Sequence, residues 1–385
     1  MQKNNLDNWL RLSLIKGLGS VTIKGLLEHF DSARDIIEAD VLQLKKLGLK
    51  QDIIKQLKNN DNTIQINKTH QWLGEDKINF ALCIDDKAYP EKLKQIDSPP
   101  IILFGKGDVD VLNTCQISVV GSRNATPTGI ENAHAFSSYL VQYGLTVTSG
   151  LALGIDAASH VGALAKKGLT VAVVATGMDI IYPPQNTELA HKIIKSGGCI
   201  ISEYQLGVAP RPQHFPQRNR IISALSLGVL VVEAADKSGS LITARLASEQ
   251  GHEVFAIPGS IHNPQSRGCH KLIKTGAILV ESGLDIFNEI ADLVNRETKN
   301  TLNEKEIKEK TNNAGDKNTK NTKKFDVEYQ KLLDCMEYEP QPLDILHQRC
   351  GLPIDKISSM MLMLELQQVV TKHPGGMYLL SGKKE

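Results

Sequence analysis

The chain carries almost no net charge. Its 44 basic and 43 acidic side chains leave a formal charge of +1 over 385 residues. Attraction of nucleic acid by overall charge is thereby excluded, so any polyanionic partner must be held by a local patch. Cysteine is sparse. Cys83, Cys115, Cys199, Cys269, Cys335 and Cys350 stand far apart with no C-x-x-C pair. This spacing argues against a zinc site or a disulfide framework and fits free thiols in a reducing compartment. No apolar run approaches the ~20 residues needed to span a bilayer, and Met1–Asn8 lacks an apolar signal core. The expectation is a cytoplasmic protein without membrane association, metal or cofactor.

Nucleotide-enzyme signatures are missing as well. There is no G-x-x-x-x-G-K-[ST] loop, and no G-x-G-x-x-G follows the first central strand. A G-x-S-x-G elbow is absent, so Ser149 and His160 do not read as a nucleophile and its base. His160 reads as a helix residue that packs or hydrogen-bonds, and Asp156 as a helix cap.

What is present suffices for two or three ordinary domains, with 41% apolar and 23% charged residues. Residues 1–65 read as an all-helical domain, with apolar residues at helical spacing and glycine stops. Within it, Gly17-Leu18-Gly19 fits either the hairpin of a helix-hairpin-helix module or a plain helix–turn–helix packing unit. Residues 61–116 form a joining section with strands at Ile78–Ile84 and Ile101–Gly105. From there the chain alternates strands (Ile117–Val120, Thr146–Ser149, Val171–Ala175, Cys199–Ser202, Val229–Glu233, Glu253–Ile257, Ala277–Val280) with helical patterns. This predicts an α/β fold with a mostly parallel sheet, spanning residues 66–292. Residues 293–324 are polar and read as a disordered linker. Residues 325–385 pattern as three helices and a hairpin, a winged helix. Its third helix offers Lys356 and Glu365 where a base reader presents Arg, Lys, Asn or Gln, which favours protein interaction or weak DNA binding.

The central strands end in loops rich in small residues: Gly121-Ser122-Arg123, Ser149-Gly150 through Gly154, Thr176-Gly177, and Ser238-Gly239-Ser240. In an open α/β sheet these ends share one edge, where ligands bind. Glycines let backbone amides approach a phosphate. Phe215-Pro216-Gln217-Arg218-Asn219-Arg220 reads as a loop entering a helix over Arg220–Leu227. Cations there oppose the helix dipole, and an anionic ligand would relieve the conflict. Arg123, Arg218 and Arg220 beside four such loops predict an anion site.

These strings, together with Gly154-Ile155-Asp156 to His160, Met178-Asp179, Tyr182-Pro183, Leu241 to Ala244 and Ile257-Pro258-Gly259, closely resemble the DNA-processing protein A family (DprA, also called Smf). The resemblance covers about residues 100–282. It implies an extended Rossmann-type domain that binds single-stranded DNA as a dimer, protects it and loads the RecA recombinase during natural transformation, without enzymatic activity. The implied strand-binding residues are Gly121, Ser122, Arg123, Ser149, Gly150, Gly154, Gly177, Phe215, Arg218, Asn219, Arg220, Ser238, Gly239 and Ser240. His270, Ile273 and Leu279 fall where the family self-associates. Implied partners are single-stranded DNA, RecA, a second copy of the chain and other single-strand-binding proteins. Leu153, Val161 and Pro184 stand where many members carry a basic residue. The rival reading is an enzyme or binder of a nucleotide-derived small molecule in the same pocket.

Overall fold

The structure is a computed structural model. It describes residues 3–59, 62–296, 327–336, 341–366, 370–373 and 377–380. It divides into two compact units, 1–307 and 308–385.

The first unit opens with six helices: α1 (Lys3–Ser13), α2 (Ser20–Leu26), α3 (Ala33–Glu38), α4 (Val41–Lys46), α5 (Gln51–Asn59) and α6 (Thr63–Glu75). Ser32 and Asp40 cap α3 and α4 by accepting the amides of Asp35 and Leu42. Gly17 and Gly48, at φ +86° and +83°, make the turns before α2 and α5 that residues with a Cβ rarely adopt. Helix α6 was not legible in the joining section. Its sequence is rich in β-branched Ile and Thr, which are poor helix formers. It is held instead by burial of Ile66, Thr69 and Trp72. The helices expected to stand as a separate domain share one continuous apolar core with the sheet, from Leu6 and Trp9 through Trp72 to Phe104 and Leu206.

The chain then runs β1 (Asn79–Cys83), α7 (Glu91–Gln95), β2 (Ile102–Gly107), β3 (Gln116–Val120), α8 (Pro127–Gln142), β4 (Thr146–Ser149), α9 (Ile155–Ala165), β5 (Thr170–Val173) and α10 (Thr187–Lys195). It continues β6 (Cys199–Ser202), α11 (His214–Leu225), β7 (Gly228–Val231), α12 (Gly239–Glu249), β8 (Glu253–Ala256), α13 (Arg267–Lys274) and β9 (Ile278–Leu279). A final helix, α14, covers 283–296. All nine strands form one sheet in the order β1-β2-β6-β5-β4-β3-β7-β8-β9. The sheet is parallel from β6 to β9, and β1 and β2 add antiparallel at one edge. Strands β3 to β7 are buried along their whole length, with β7 nearly all apolar and β3 and β4 carrying buried Gln116, Ser118, Thr146 and Thr148 as well. Strand order reverses at β3, flanked by β4 and β7, and the crevice above such a reversal is where open α/β sheets take ligands.

The expected disordered segment lies mostly outside the described residues. Its first residues, 293–296, are the end of α14. The second unit contains α15 (Val327–Asp334), β10 (Gln341–Pro342), α16 (Leu343–Cys350), α17 (Ile354–Leu366), β11 (Val370–His373) and β12 (Met377–Leu380). Its strands pair in the order β10-β12-β11, and Leu332, Leu346, Ile357, Met361 and Leu364 form its core. The expected hairpin is β11 and β12, paired antiparallel, and its turn, 374–376, falls outside the described residues.

Candidate nucleic-acid interface

A cavity of about 700 Å³ opens at the carboxyl ends of β3, β4 and β7. The loop after β3 brings Gly121, Ser122, Arg123 and Asn124, and the loop and helix after β4 bring Ala152 and Asp156. Ala235, Lys237, Ser238, Gly239 and Ser240 come from the loop after β7 and the start of α12. Helix α11 contributes Phe215, Pro216, Arg218, Asn219 and Ile222, and the segment before it Pro210, Arg211 and Pro212. Tyr182 completes the mouth. The charged lining groups are Arg123, Arg211, Arg218 and Lys237 against Asp156. A nearly neutral chain thus concentrates cations in one cavity.

The loop expected before Arg220 is helical. Helix α11 begins at His214, so Phe215, Pro216 and Arg218 all lie in its first turns. Proline is tolerated there because the first-turn amides have no intrahelical partner to lose. This earlier start turns the two arginines in different directions. Arg218 points inward, is only 4% exposed, and donates from Nη1 to the Val173 carbonyl. Gly150 leaves it room, since a Cβ at that position would lie 2.1 Å from Arg218 Nη1. Burial lowers the Arg218 pKa to about 10, with Asp156 opposing the shift, so the guanidinium stays charged at neutral pH. Its Nε is buried without a hydrogen-bond partner among the described residues. An unmade buried bond of this kind costs about 1–3 kcal/mol and calls for a functional reason.

Arg220 does not line the cavity. Nη1 and Nη2 donate to the two carboxylate oxygens of Glu203 at 2.7 and 2.5 Å, and Nε donates to the Ser98 carbonyl at 2.8 Å. It clamps α11 to the β6 end and to the segment before β2. Arg220, expected at the phosphate, thus has its donors committed to a carboxylate and a carbonyl and stands outside the cavity lining.

Arg123 is exposed at the rim, its Cζ 4.8 Å from the centroid of the Phe215 ring. Tyr182 lies against the same ring, centroids 5.9 Å apart. Cation, ring and ring make a layered wall with one face toward the cavity, an arrangement that suits a base stacked beside a phosphate.

The amide cradle expected from the glycine loops is largely closed. Ser122 N–H donates to the Glu233 carbonyl at 2.8 Å, and the Glu233 carboxylate accepts from Thr126 N at 2.9 Å and Thr126 Oγ1 at 2.5 Å. A Cβ at Gly129 would lie 2.4 Å from that carboxylate, which explains the glycine. Glu233 thus sits where an anion at the start of α8 would sit. In the second loop, Gly150 N and Ala152 N donate to Asp156 Oδ2 at 3.1 and 3.3 Å. Asp156 braces this loop rather than capping α9. Burial raises its pKa, while Arg218 and these amides pull it back. What the cavity offers an anion is therefore chiefly side chains.

Among the expected strand-binding residues, Gly121, Ser122, Arg123, Phe215, Arg218, Asn219, Ser238, Gly239 and Ser240 meet at the cavity. Ser149, Gly150, Gly154 and Gly177 lie behind it. Ser149 Oγ donates to the Val119 carbonyl at 2.6 Å. Gly154 takes φ +77° where a Cβ would lie 2.3 Å from Ser122 O, and Gly177 abuts Gln205 O. His160 is fully buried and hydrogen-bonded to Thr170 Oγ1 at 2.7 Å, a packing residue. Sequence reasoning passed over Arg211, Lys237 and Asn124. The signal for them was present, since Pro-Arg-Pro fixes a cation on a stiff loop and Lys237 immediately precedes the capping serine of α12. Of the expected self-association residues, Leu279 is 46% exposed on edge strand β9, and Ile273 is half-buried against the core. His270 Nε2 is 2.9 Å from the Gly259 carbonyl.

The sequence pattern of the DNA recombination-mediator protein A family matches residues 80–291, and that of the DprA winged helix domain matches 319–376. The chain belongs to the DNA recombination-mediator protein A family. Protein Smf of Escherichia coli strain K12 is 36% identical over 371 residues, covering 96% of this chain and 94% of its own length. The X-ray structure of DprA from Streptococcus pneumoniae superposes with a TM-score of 0.64 at 35% identity, over 75% of this chain and 98% of that one. DNA processing protein A from Helicobacter pylori, whose structure is reported for its single-stranded DNA binding mode, superposes at 0.50 with 28% identity, over 55% and 96%. The mostly parallel sheet, the helical N-terminal region and the C-terminal winged helix are thus the architecture of a family of DNA-processing proteins. No described helix is long and apolar enough to cross a membrane.

Proposed function

We propose that the cavity binds single-stranded DNA, and that the protein acts without enzymatic activity as a recombination mediator. It would protect incoming strands and load the RecA recombinase during natural transformation. The observation that carries this reading is the pairing of the Arg123–Phe215–Tyr182 wall with the Arg211, Arg218 and Lys237 side chains in one cavity. Phosphates take the cations, and bases stack on the rings. The strand-binding mode reported for the Helicobacter pylori relative supports it. The volume also suits a small ligand, so the test is length dependence. Affinity for single-stranded oligonucleotides is expected to rise with length, measured by fluorescence polarisation against duplexes of the same lengths. An affinity already saturated by a mononucleotide would favour the small-molecule reading instead.

The proposal includes a homodimer formed through the β9 edge and α13. Ile273 packs partly inward, so the cleaner probe is Leu279, exposed on the edge strand. Leu279→Glu is expected to give a folded monomer by light scattering, with the affinity between copies weakened by about 100-fold, or about 2.7 kcal/mol. A wild-type chain that is monomeric at concentrations on the order of tens of micromolar removes this part of the proposal. The winged-helix unit is assigned an accessory, partner-binding role.

A further inference from the structure

We propose that helices α1 and α6 brace the mouth of the cavity, and that Gln65, Lys68 and Asp179 are positioning residues for strand binding. The inference rests on the cavity being the strand site. None of the three lines the cavity. Each instead acts on the segment Gln205–Val208, which leads into the cavity wall.

The segment is pinned at successive residues. Gln205 Nε2 donates to Ser13 Oγ at the end of α1, at 2.7 Å. Gln65 Nε2 on α6 donates to the Leu206 carbonyl at 3.0 Å. Gly207 N–H donates to Asp179 Oδ1 at 2.8 Å, and Lys68 on α6 holds the other oxygen of Asp179 at 3.2 Å. Gly177 N–H donates to the Val208 carbonyl at 2.9 Å. Asp7 and His70 approach at 2.5 Å and tie α1 to α6, so the two helices act as one support.

Two features carry the pinning into the site. Val208 is followed by Ala209 and then Pro210-Arg211-Pro212, all three of which line the cavity. Prolines fix φ on both sides of Arg211, so a shift at Gly207 is passed on rather than absorbed. On the opposite wall, Asp179 lies three residues before Tyr182, which packs on Phe215. One carboxylate thus sets the distance between the loop that presents Arg211 and the loop that presents Tyr182, and α6 holds that carboxylate.

The sign of one substitution separates bracing from simple electrostatics. Asp179→Asn removes a negative charge, which by charge alone would strengthen binding to a polyanion. Bracing predicts weaker binding, because the Lys68 contact is lost. Single-stranded oligothymidylate affinity is expected to fall about threefold in Asp179→Asn and about fivefold in a Gln65→Ala/Lys68→Met double variant, with Lys68→Arg close to wild type. The salt slope should be unchanged in all three, since none touches a phosphate. Tryptophan fluorescence checks folding, as Trp9 and Trp72 are both buried in the first unit. Unchanged or tighter binding by folded Asp179→Asn, or a reduced salt slope in the double variant, overturns the inference while leaving strand binding intact. If the wild-type chain binds no strand, the functional reading fails and the inference with it.

Discussion

Replacement of Arg123 by alanine is expected to weaken single-stranded DNA binding about tenfold to a hundredfold. That is the 1.5–3 kcal/mol range of a hydrogen bond to a charged group. Arg123 is the exposed cation of the layered wall, its guanidinium 4.8 Å from the Phe215 centroid. Unlike Arg218 it is not buried in the cavity wall, and unlike Arg220 it has no carboxylate partner among the ion pairs of the described residues. On the proposed reading its removal takes away a phosphate contact, and its exposure means that no core is opened. All sequences should lose affinity alike, because a phosphate contact carries no base information. The slope of log affinity against log salt should flatten by about 0.7, the share of one phosphate on a single strand. Polarisation titrations over a salt series measure both quantities. An unchanged affinity or an unchanged slope in Arg123→Ala would sink the assignment.

Stability of the first unit is expected to fall on acidification, with His160 as a principal cause. His160 is fully buried, and burial together with the Arg218 charge pushes its pKa down to about 3. In the unfolded chain histidine titrates near 6.5. Between those values the unfolded state binds a proton that the folded state refuses. The contribution is thus complete above about pH 6.5 and is lost as pH falls toward 3. At about 1.4 kcal/mol per unit, the loss reaches about 4–5 kcal/mol at the lower end. Asp156 works in the opposite direction. Its pKa is raised by burial, so it disfavours folding at neutral pH and returns stability as it becomes protonated. The comparison that isolates the histidine is wild type against His160→Gln. Urea unfolding followed by tryptophan fluorescence should show the wild type losing about 2 kcal/mol relative to the variant between pH 7.5 and 5. Parallel pH dependences would show that His160 is not the source.

The legibility of the chain followed burial. Thr146–Ser149 and Cys199–Ser202 have the bounds that their sequence implied, each a short run of β-branched and small residues that fits a strand buried along its length. Helix α11 was misplaced at its start because Pro216 looks like a break, although a first turn accepts it. The cavity loops were legible as glycine-rich strand ends on one edge. The fate of individual arginines was not. Arg218 is buried because Gly150 makes space and Val173 offers a carbonyl, and Arg220 is neutralised because Glu203 lies opposite. Those partners are distant in sequence, so no local pattern distinguishes the two residues. The same holds for the amides after β3, since Glu233 reaches that loop only once the chain has folded, whereas Asp156 lies within a few residues of the amides it accepts.

The placement of charge also governs how partners meet. The cations of the site are gathered in a recess, while the chain as a whole carries a charge of +1. Long-range attraction of a polyanion gains little from a net charge of +1, so steering is left to the few cations at the recess. Encounter with a strand should therefore proceed near the unsteered rate, about 10⁵–10⁶ M⁻¹s⁻¹. Selectivity would then reside in how long a strand stays once a nucleotide has entered the recess. A duplex, unable to offer a single unstacked base to that recess, would depart quickly, so discrimination would be expressed in residence time rather than in capture.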